Sequence, residues 1–228
     1  MQIVILAGGL ATRLRHLTEN KPKSMVLIKG KPFIEYQIEL LKKNGIKDIV
    51  LCVGHLSEQI KNHLGDGRKF GINIKYSQEN ELLGTGGAIK NAEKLLDKEF
   101  FVLYGDSYLP VDFQEIMNKF HIFRKKGLMT VFKNFNKFDK SNVEIEDGMV
   151  LKYDKKNNEK MIYIDYGLSI FRKDVIKSMP VKFPLDDVFK QLIKEKQLAS
   201  FVIKTPFQEI GSFEGLKRFE KFAEENQL

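Results

Sequence analysis

The chain opens Met1-Gln2-Ile3-Val4-Ile5-Leu6-Ala7, continues Gly8-Gly9-Leu10-Ala11-Thr12-Arg13-Leu14, and reaches a polar run ending Lys21-Pro22-Lys23-Ser24-Met25. Residues 3–6 are an unbroken apolar run rich in β-branched side chains. Such a run suits a strand covered on both faces of a parallel sheet. Gly8 and Gly9 let backbone approach a ligand closely and turn N–H groups toward an anion. Arg13 supplies a planar fork for phosphate oxygens and Lys23 a mobile point charge. Strand, glycine pair and two cations in this order describe a phosphate cradle. It has neither the Gly-x-Gly-x-x-Gly spacing of dinucleotide folds nor the Gly-Lys-Ser/Thr of a P-loop.

Working outward, a short strand is expected at residues 25–28. Gly30, Lys31 and Pro32 open a helix in which Ile34, Ile38 and Leu41 recur at helical spacing, with Gly45 just past its end. The apolar run at residues 49–53 reads as a second buried strand. A helix at residues 57–64 ends at Gly65-Asp66-Gly67, and residues 72–76 alternate as a third strand. Gly84-Thr85-Gly86-Gly87 reads as a glycine loop before a helical stretch reaching residue 96. Residues 100–104 form a further strand closed by Gly105-Asp106. Strand and helix alternating over short connections predict an α/β, Rossmann-like, doubly wound and mostly parallel sheet.

The second half changes character. One helix, residues 112–125, precedes strands near 129–132, 142–145 and 150–153, with Asp147-Gly148 as a hairpin turn. A strand at 161–171, a helix at 185–194, a strand at 201–203 and a last amphipathic helix at 213–223 complete it. The sheet is therefore expected to become mixed. No linker or internal repeat divides residues 1–228, which read as a single domain.

Composition narrows the classes. The chain has 228 residues, 43% of them hydrophobic and 30% charged, which describes a globular protein with ample core. The one cysteine, Cys52, sits inside an apolar run and reads as packing. No apolar stretch approaches the ~20 residues of a membrane span. The N-terminus lacks the features of a signal peptide, so a cytoplasmic location is expected. The net charge is +8, but the cations are scattered as short pairs with acids between them. That favours a solvated lysine-rich surface over a specific nucleic-acid site.

Gly-Gly-x-x-Thr-Arg-Leu followed by Pro-Lys-x-Met resembles the signature of sugar-phosphate nucleotidyltransferases, the nucleotide-sugar pyrophosphorylases. Their usual pattern is Gly-Gly-x-Gly-Thr-Arg-Leu and Pro-Lys-Pro-Met; here Ala11 and Ser24 depart from it. The resemblance implies a glycosyltransferase-A-like fold, with residues to about 110 holding the nucleotide and about 111–228 the sugar phosphate. The Leu-Gly-Thr-Gly-Gly-Ala-Ile run looks most like guanylyltransferases acting on D-glycero-D-manno-heptose 1-phosphate or mannose 1-phosphate, which feed surface polysaccharide assembly.

Site expectations follow. Arg13, Lys23 and Asp106 are the catalytic candidates. Asp106 ends a buried strand, where an acid is placed to hold Mg²⁺ against phosphates; its competing role is a helix N-cap, for which Asp112 is better placed. The resemblance makes the Gly-Asp acid a metal ligand, and puts a second ligand at Glu209, where the family has Asp. The extra methylene shifts that carboxylate by roughly 1.5 Å. Leu6, Ala7, Gly8, Gly9, Thr12, Gly84, Thr85, Gly86, Tyr104 and Gly105 are the implied nucleotide contacts. Glu79 and Glu81 either accept from a base amino group or are simply solvated. Lys155, after Asp154, resembles the lysine that holds the acceptor phosphate. Asn142 and Glu144 are expected on one face of a strand, lining the sugar pocket. Asp165, two residues before Gly167, either binds sugar hydroxyls or pairs with a lysine; buried, it needs one or the other. Ser212 is a candidate N-cap for the last helix. His16, His55, His63 and His121 show no metal or triad spacing.

The expected partners are an NTP and a sugar 1-phosphate, with Mg²⁺ as cofactor; a homo-oligomer stays open. Alternatives are a cytidylyl- or uridylyltransferase acting on another sugar, alditol or choline phosphate, and a catalytically silent ligand-sensing relative.

Overall fold

A computed structural model describes residues 1–9, 18–156 and 160–228. Arg13, Thr12, Ala11 and His16 lie outside the described residues. Nine strands build the main sheet: β1 (Gln2–Leu6), β2 (Asp48–Val53), β3 (Asn73–Gln78), β4 (Glu99–Tyr104), β5 (Gly127–Lys133), β6 (Val143–Glu146), β7 (Met149–Tyr153), β8 (Tyr163–Arg172) and β9 (Leu198–Ile203). Their order is β3-β2-β1-β4-β8-β5-β9-β7-β6. The α-helices among the described residues are α1 (Phe33–Lys43), α2 (Ser57–Leu64), α3 (Gly84–Asn91), α4 (Phe113–Phe123), α5 (Lys173–Lys177), α6 (Leu185–Lys194) and α7 (Phe213–Glu225).

The first four strands are parallel, as their continuous apolar runs require. Residues of β1 alternate between layers. Ile3 and Ile5 pack with Ile34, Leu41 and Ile60 of α1 and α2. Val4 packs on the opposite face with Ala88 and Ile89 of α3. A strand sandwiched this way cannot carry a polar face, which is why it carries none.

β8 enters antiparallel to β4 and to β5, while β9 runs parallel to β5. The β6–β7 hairpin turns at Asp147 and Gly148, both with positive φ (48° and 75°), the conformation an Asp-Gly pair favours. β6 then pairs back to β8, Val143 opposite Tyr163, so the second half of the sheet closes on itself. A third apolar cluster joins α1 to α7: Phe219 meets Phe33 and Tyr36 edge-to-face, with centroids 5.0 and 5.4 Å apart.

The first strand after the opening segment is shorter than expected. Lys23–Met25 is a 3₁₀ turn, and Leu27–Ile28 pairs with Lys31–Pro32 before α1 begins. Among the described residues no helix is long and apolar enough to cross a membrane.

Candidate active site

The chain runs from β1 outward to β2 and β3, then returns to β4 on the other side of β1. That reversal is the topological switch point of the sheet, where strand carboxyl ends leave a crevice. In register, Leu6 stands opposite Cys52 on one side and Tyr104 on the other. A cavity of about 430 Å³ opens here, lined by Leu6, Ala7, Gly8 and Gly9 after β1, Cys52, Glu79 after β3, Leu82, Gly84, Thr85 and Ala88 of α3, Tyr104, Gly105 and Asp106 after β4, and Lys23 and Ser24.

Lys23 leaves the 3₁₀ turn that follows Pro22 and donates from Nζ to Asp106 Oδ2 at 2.9 Å. Both side chains are largely covered, 19% and 26% exposed. The cation and the acid thus meet in one cavity although 83 residues separate them in sequence. Asp106 is not a helix cap; Asp112 caps α4 by accepting from Glu115 N–H at 3.0 Å. Beside Lys23, Ser24 is 2% exposed and its Oγ has no hydrogen-bond partner among the described residues.

Glu79 reaches back over the β1 loop. A Cβ on Gly8 would lie 2.7 Å from its Oε1, so glycine there leaves room for the carboxylate. Leu83 N–H donates to its Oε2 at 3.3 Å. Burial raises its pKa, and the Leu83 bond opposes the rise. Glu81 stands exposed in a neighbouring hollow with His55.

The glycine segment is a helix start rather than a loop before one. α3 begins at Gly84, whose φ of +77° suits glycine alone, with a would-be Cβ 2.6 Å from Phe183 O. The N–H groups of Gly86 and Gly87 both donate to Phe183 O, at 3.1 and 3.0 Å. They are engaged inside the protein, and Gly86 is buried against the Phe183 ring rather than lining the cavity. The Thr85 hydroxyl accepts from Leu185 N–H at 2.8 Å. Gly86, expected among the nucleotide contacts, instead packs on Phe183, because α6 packs on α3; Gly84 and Thr85 do line the cavity.

Asn142, Lys155, Asp165 and Gly167, expected on the acceptor side, lie next to this cavity, behind Tyr104. Asn142 Oδ1 accepts from Asp165 N–H at 2.9 Å, and Asp165 Oδ1 accepts from Gly167 N–H at 2.9 Å. Gly167 (φ +93°) sits in an irregular stretch of β8 and leaves 3.3 Å between a would-be Cβ and the Tyr104 ring. Burial pushes the Asp165 carboxyl up to about 6, against the Gly167 hydrogen bond and the charge of Lys155. Lys155 Nζ donates to Asp186 Oδ1 at 3.0 Å. Asn142 and Glu144 part company: β6 begins at Val143, so Asn142 is buried outside the strand's alternation while Glu144 is exposed opposite Lys152.

Glu209 pairs with Ser107 in a short ladder that brings Ile210 N–H onto Asp106 O at 2.9 Å. Its backbone is therefore close to Asp106. Its carboxylate accepts from Gly211 N–H and from the Ser212 hydroxyl at 2.8 Å, with Arg218 at 3.6 Å. It braces the start of α7, where Ser212 accepts from Gly215 N–H as the N-cap. Each oxygen of the Glu209 carboxylate thus accepts one hydrogen bond and keeps a further lone pair. Asp106, an oxygen donor facing the cavity, fits a hard cation bound through phosphate oxygens and water.

Leu82, Tyr153 and Asp186 escaped the sequence reading, and Ser24 entered it only as a departure from the motif. Leu82 carried the one available signal, an apolar residue in a polar stretch; it is 54% exposed at the cavity. Cys52 also lines the cavity, but burial pushes its thiol up to about 12, far from a nucleophile.

Residues 2–226 match the family described as Nucleotidyl transferase. The chain belongs to that family. This nucleotidyltransferase is 34% identical over 216 residues to the D-glycero-alpha-D-manno-heptose 1-phosphate guanylyltransferase of Campylobacter jejuni, covering 92% of this chain and 95% of that one. It is 34% identical over 223 residues to the mannose-1-phosphate guanyltransferase of Saccharomyces cerevisiae, covering 92% of this chain and 61% of that longer protein. The crystal structure of HddC from Yersinia pseudotuberculosis, complexed with GMP-PN, superposes with a TM-score of 0.82 at 29% identity, covering 97% of this chain and 99% of that one.

Proposed function

We propose that this nucleotidyltransferase makes a nucleoside diphosphate sugar from GTP and a manno-configured sugar 1-phosphate, D-glycero-α-D-manno-heptose 1-phosphate or mannose 1-phosphate. An oxygen of the acceptor phosphate attacks the α-phosphorus of GTP in line; the bond to the β-phosphate oxygen breaks and pyrophosphate leaves. The Lys23–Asp106 pair inside a cavity that also holds Glu79 carries the reading. Lys23 neutralises charge on the α-phosphoryl group, and catalysis is positioning plus electrostatics. Arg13 holds the β- and γ-phosphates. Lys155 holds the acceptor phosphate, and Asn142, Asp165 and Gly167 form the sugar's wall.

Glu79 supports guanine. Guanine presents adjacent N1–H and N2–H₂ donors, a pair that one carboxylate can accept together. Adenine, cytosine and uracil present mixed edges. Mg²⁺, held by Asp106 with Glu209 as the second candidate ligand, would neutralise phosphate charge. The enzyme works in the cytoplasm, where nucleoside triphosphates are available. Both close relatives named above are guanylyl transferases, which supports the same choice.

A panel of four NTPs against sugar 1-phosphates and alditol phosphates, read by pyrophosphate release with Mg²⁺, tests this. GTP with a manno-configured 1-phosphate is expected to give the highest kcat/KM. Preference for CTP or UTP that survives Glu79→Gln sinks the base assignment.

A further inference from the structure

Asp186 has no role in the reaction as drawn so far, yet it holds two side chains of the acceptor wall. Its Oδ1 accepts from Lys155 Nζ at 3.0 Å and from the Tyr153 hydroxyl at 3.4 Å. The acid is the anchored partner, 24% exposed against 53% for the lysine. It lies in the first turn of α6, where the helix dipole favours a carboxylate.

The backbone just before it is fastened on both sides. Phe183 donates to Leu83 O at 3.0 Å and accepts from Gly86 and Gly87. Leu185 donates to Thr85 Oγ1 at 2.8 Å. The segment that seats the start of α3 against the cavity therefore also places Asp186. Asp165 faces the same group: its carboxyl, raised chiefly by burial, is pulled down by Lys155 and pushed up by Asp186.

A lysine side chain has four torsions to lose on gripping a phosphate. A carboxylate on a fastened helix start removes that freedom beforehand. An ammonium has three N–H donors, so a bond to Asp186 does not preclude one to a phosphate oxygen. We propose that Asp186 is a positioning residue that holds Lys155 in place for the acceptor phosphate, with Lys155 bridging the two when the acceptor binds. The proposal rests on the nucleotidyl-transfer reading.

The test is steady-state kinetics of Asp186→Asn, Asp186→Glu, Lys155→Met and the Asp186→Asn/Lys155→Met double variant, with GTP and the sugar 1-phosphate that the parent enzyme turns over best. Asp186→Asn is expected to raise the acceptor KM about tenfold, the loss of one charge-assisted hydrogen bond. The KM for GTP and the melting temperature stay at the parent values, and Asp186→Glu recovers most of the loss. In the Lys155→Met background, Asp186→Asn adds little, because the lysine it positions is gone. A parent-like acceptor KM in Asp186→Asn overturns the proposal. So do equal rises in both KM values with a lowered melting temperature, or full additivity with Lys155→Met. A parent enzyme that releases pyrophosphate from no substrate pair removes the nucleotidyl-transfer reading itself, a different failure.

Discussion

The cavity and the acceptor wall beside it are made from different materials. Around the cavity, β1, β4 and α3 supply backbone and small residues: Ala7, Gly8, Gly9, Gly84, Ala88 and Gly105. Behind Tyr104, β7 and the residues after it, β8 and α6 supply polar side chains: Tyr153 and Lys155 bonded to Asp186, with Asp165 coupled to them by charge. A backbone wall is set once the strands are in register, and it tolerates little added volume. A side-chain wall depends on mutual hydrogen bonds and charge, and it answers to pH and to loss of a partner. Under the function proposed above, the backbone wall would face the nucleotide and the side-chain wall the acceptor.

The sharpest break is expected where a charge enters the backbone wall. Lys23→Ala or Asp106→Ala should lower kcat/KM by about 10²–10³, read by pyrophosphate release. Near-parent turnover in either variant would remove the pair from catalysis. Next comes volume. A Cβ at Gly86 would run into the Phe183 ring, whereas one at Gly9 meets nothing within 4 Å among the described residues. Gly86→Ala should destabilise by about 1–3 kcal/mol, lowering the melting temperature by several degrees, and Gly9→Ala should stay within about 0.5 kcal/mol of the parent. Equal melting temperatures for the two would show that the α3–α6 contact yields easily.

The side-chain wall should show itself through pH. The Asp165 carboxyl, ordinarily 3.8, is raised to about 6 by burial, so the folded chain binds this proton more tightly than the unfolded chain. Stability is then lost as pH rises from about 4 through 6, and the full cost is present above that. Asp165→Asn, which keeps an acceptor for Gly167 N–H, should match the parent near pH 4. By pH 7 it should be more stable by about 3 kcal/mol, with denaturant midpoints as the measure. A gap that does not vary with pH would place the carboxylate in solvent.

The smallest effect belongs to Ser24. Removing a buried hydroxyl that lacks a partner among the described residues should stabilise Ser24→Ala by up to about 1 kcal/mol. A loss of stability would mean that the hydroxyl is bonded in the folded chain.

Most strand and helix positions were legible because their periodicities are local. The run at residues 49–53, the alternation at 72–76 and the Asp-Gly turn at 147–148 each report their own backbone. Lys23 and Asp106, which line the cavity, were each legible as candidates because each stands at the end of a recognisable motif. Their ion pair was not, since nothing local records a partner 83 residues away. Gly86 misled for the same reason: a glycine that makes room for the Phe183 ring reads like one that makes room for a ligand. Glu209 was legible as an acid near the last helix, but its engagement with Gly211, Ser212 and Arg218 depends on how that helix docks.

By itself the amino-acid sequence determined the alternation of strands and helices, the parallel first half, the glycine pair with its trailing cations, and the acid at the end of β4. All of these follow from hydrophobic period and backbone permissiveness over a few residues. The tertiary structure alone decided that β8 enters antiparallel and brings Asp165 behind Tyr104. It alone decided that Phe183 takes the α3 donors and that Asp186 holds Lys155. These depend on contacts between segments distant in the chain, where pairing is settled by packing the whole sheet and its helices, and no short window carries that information.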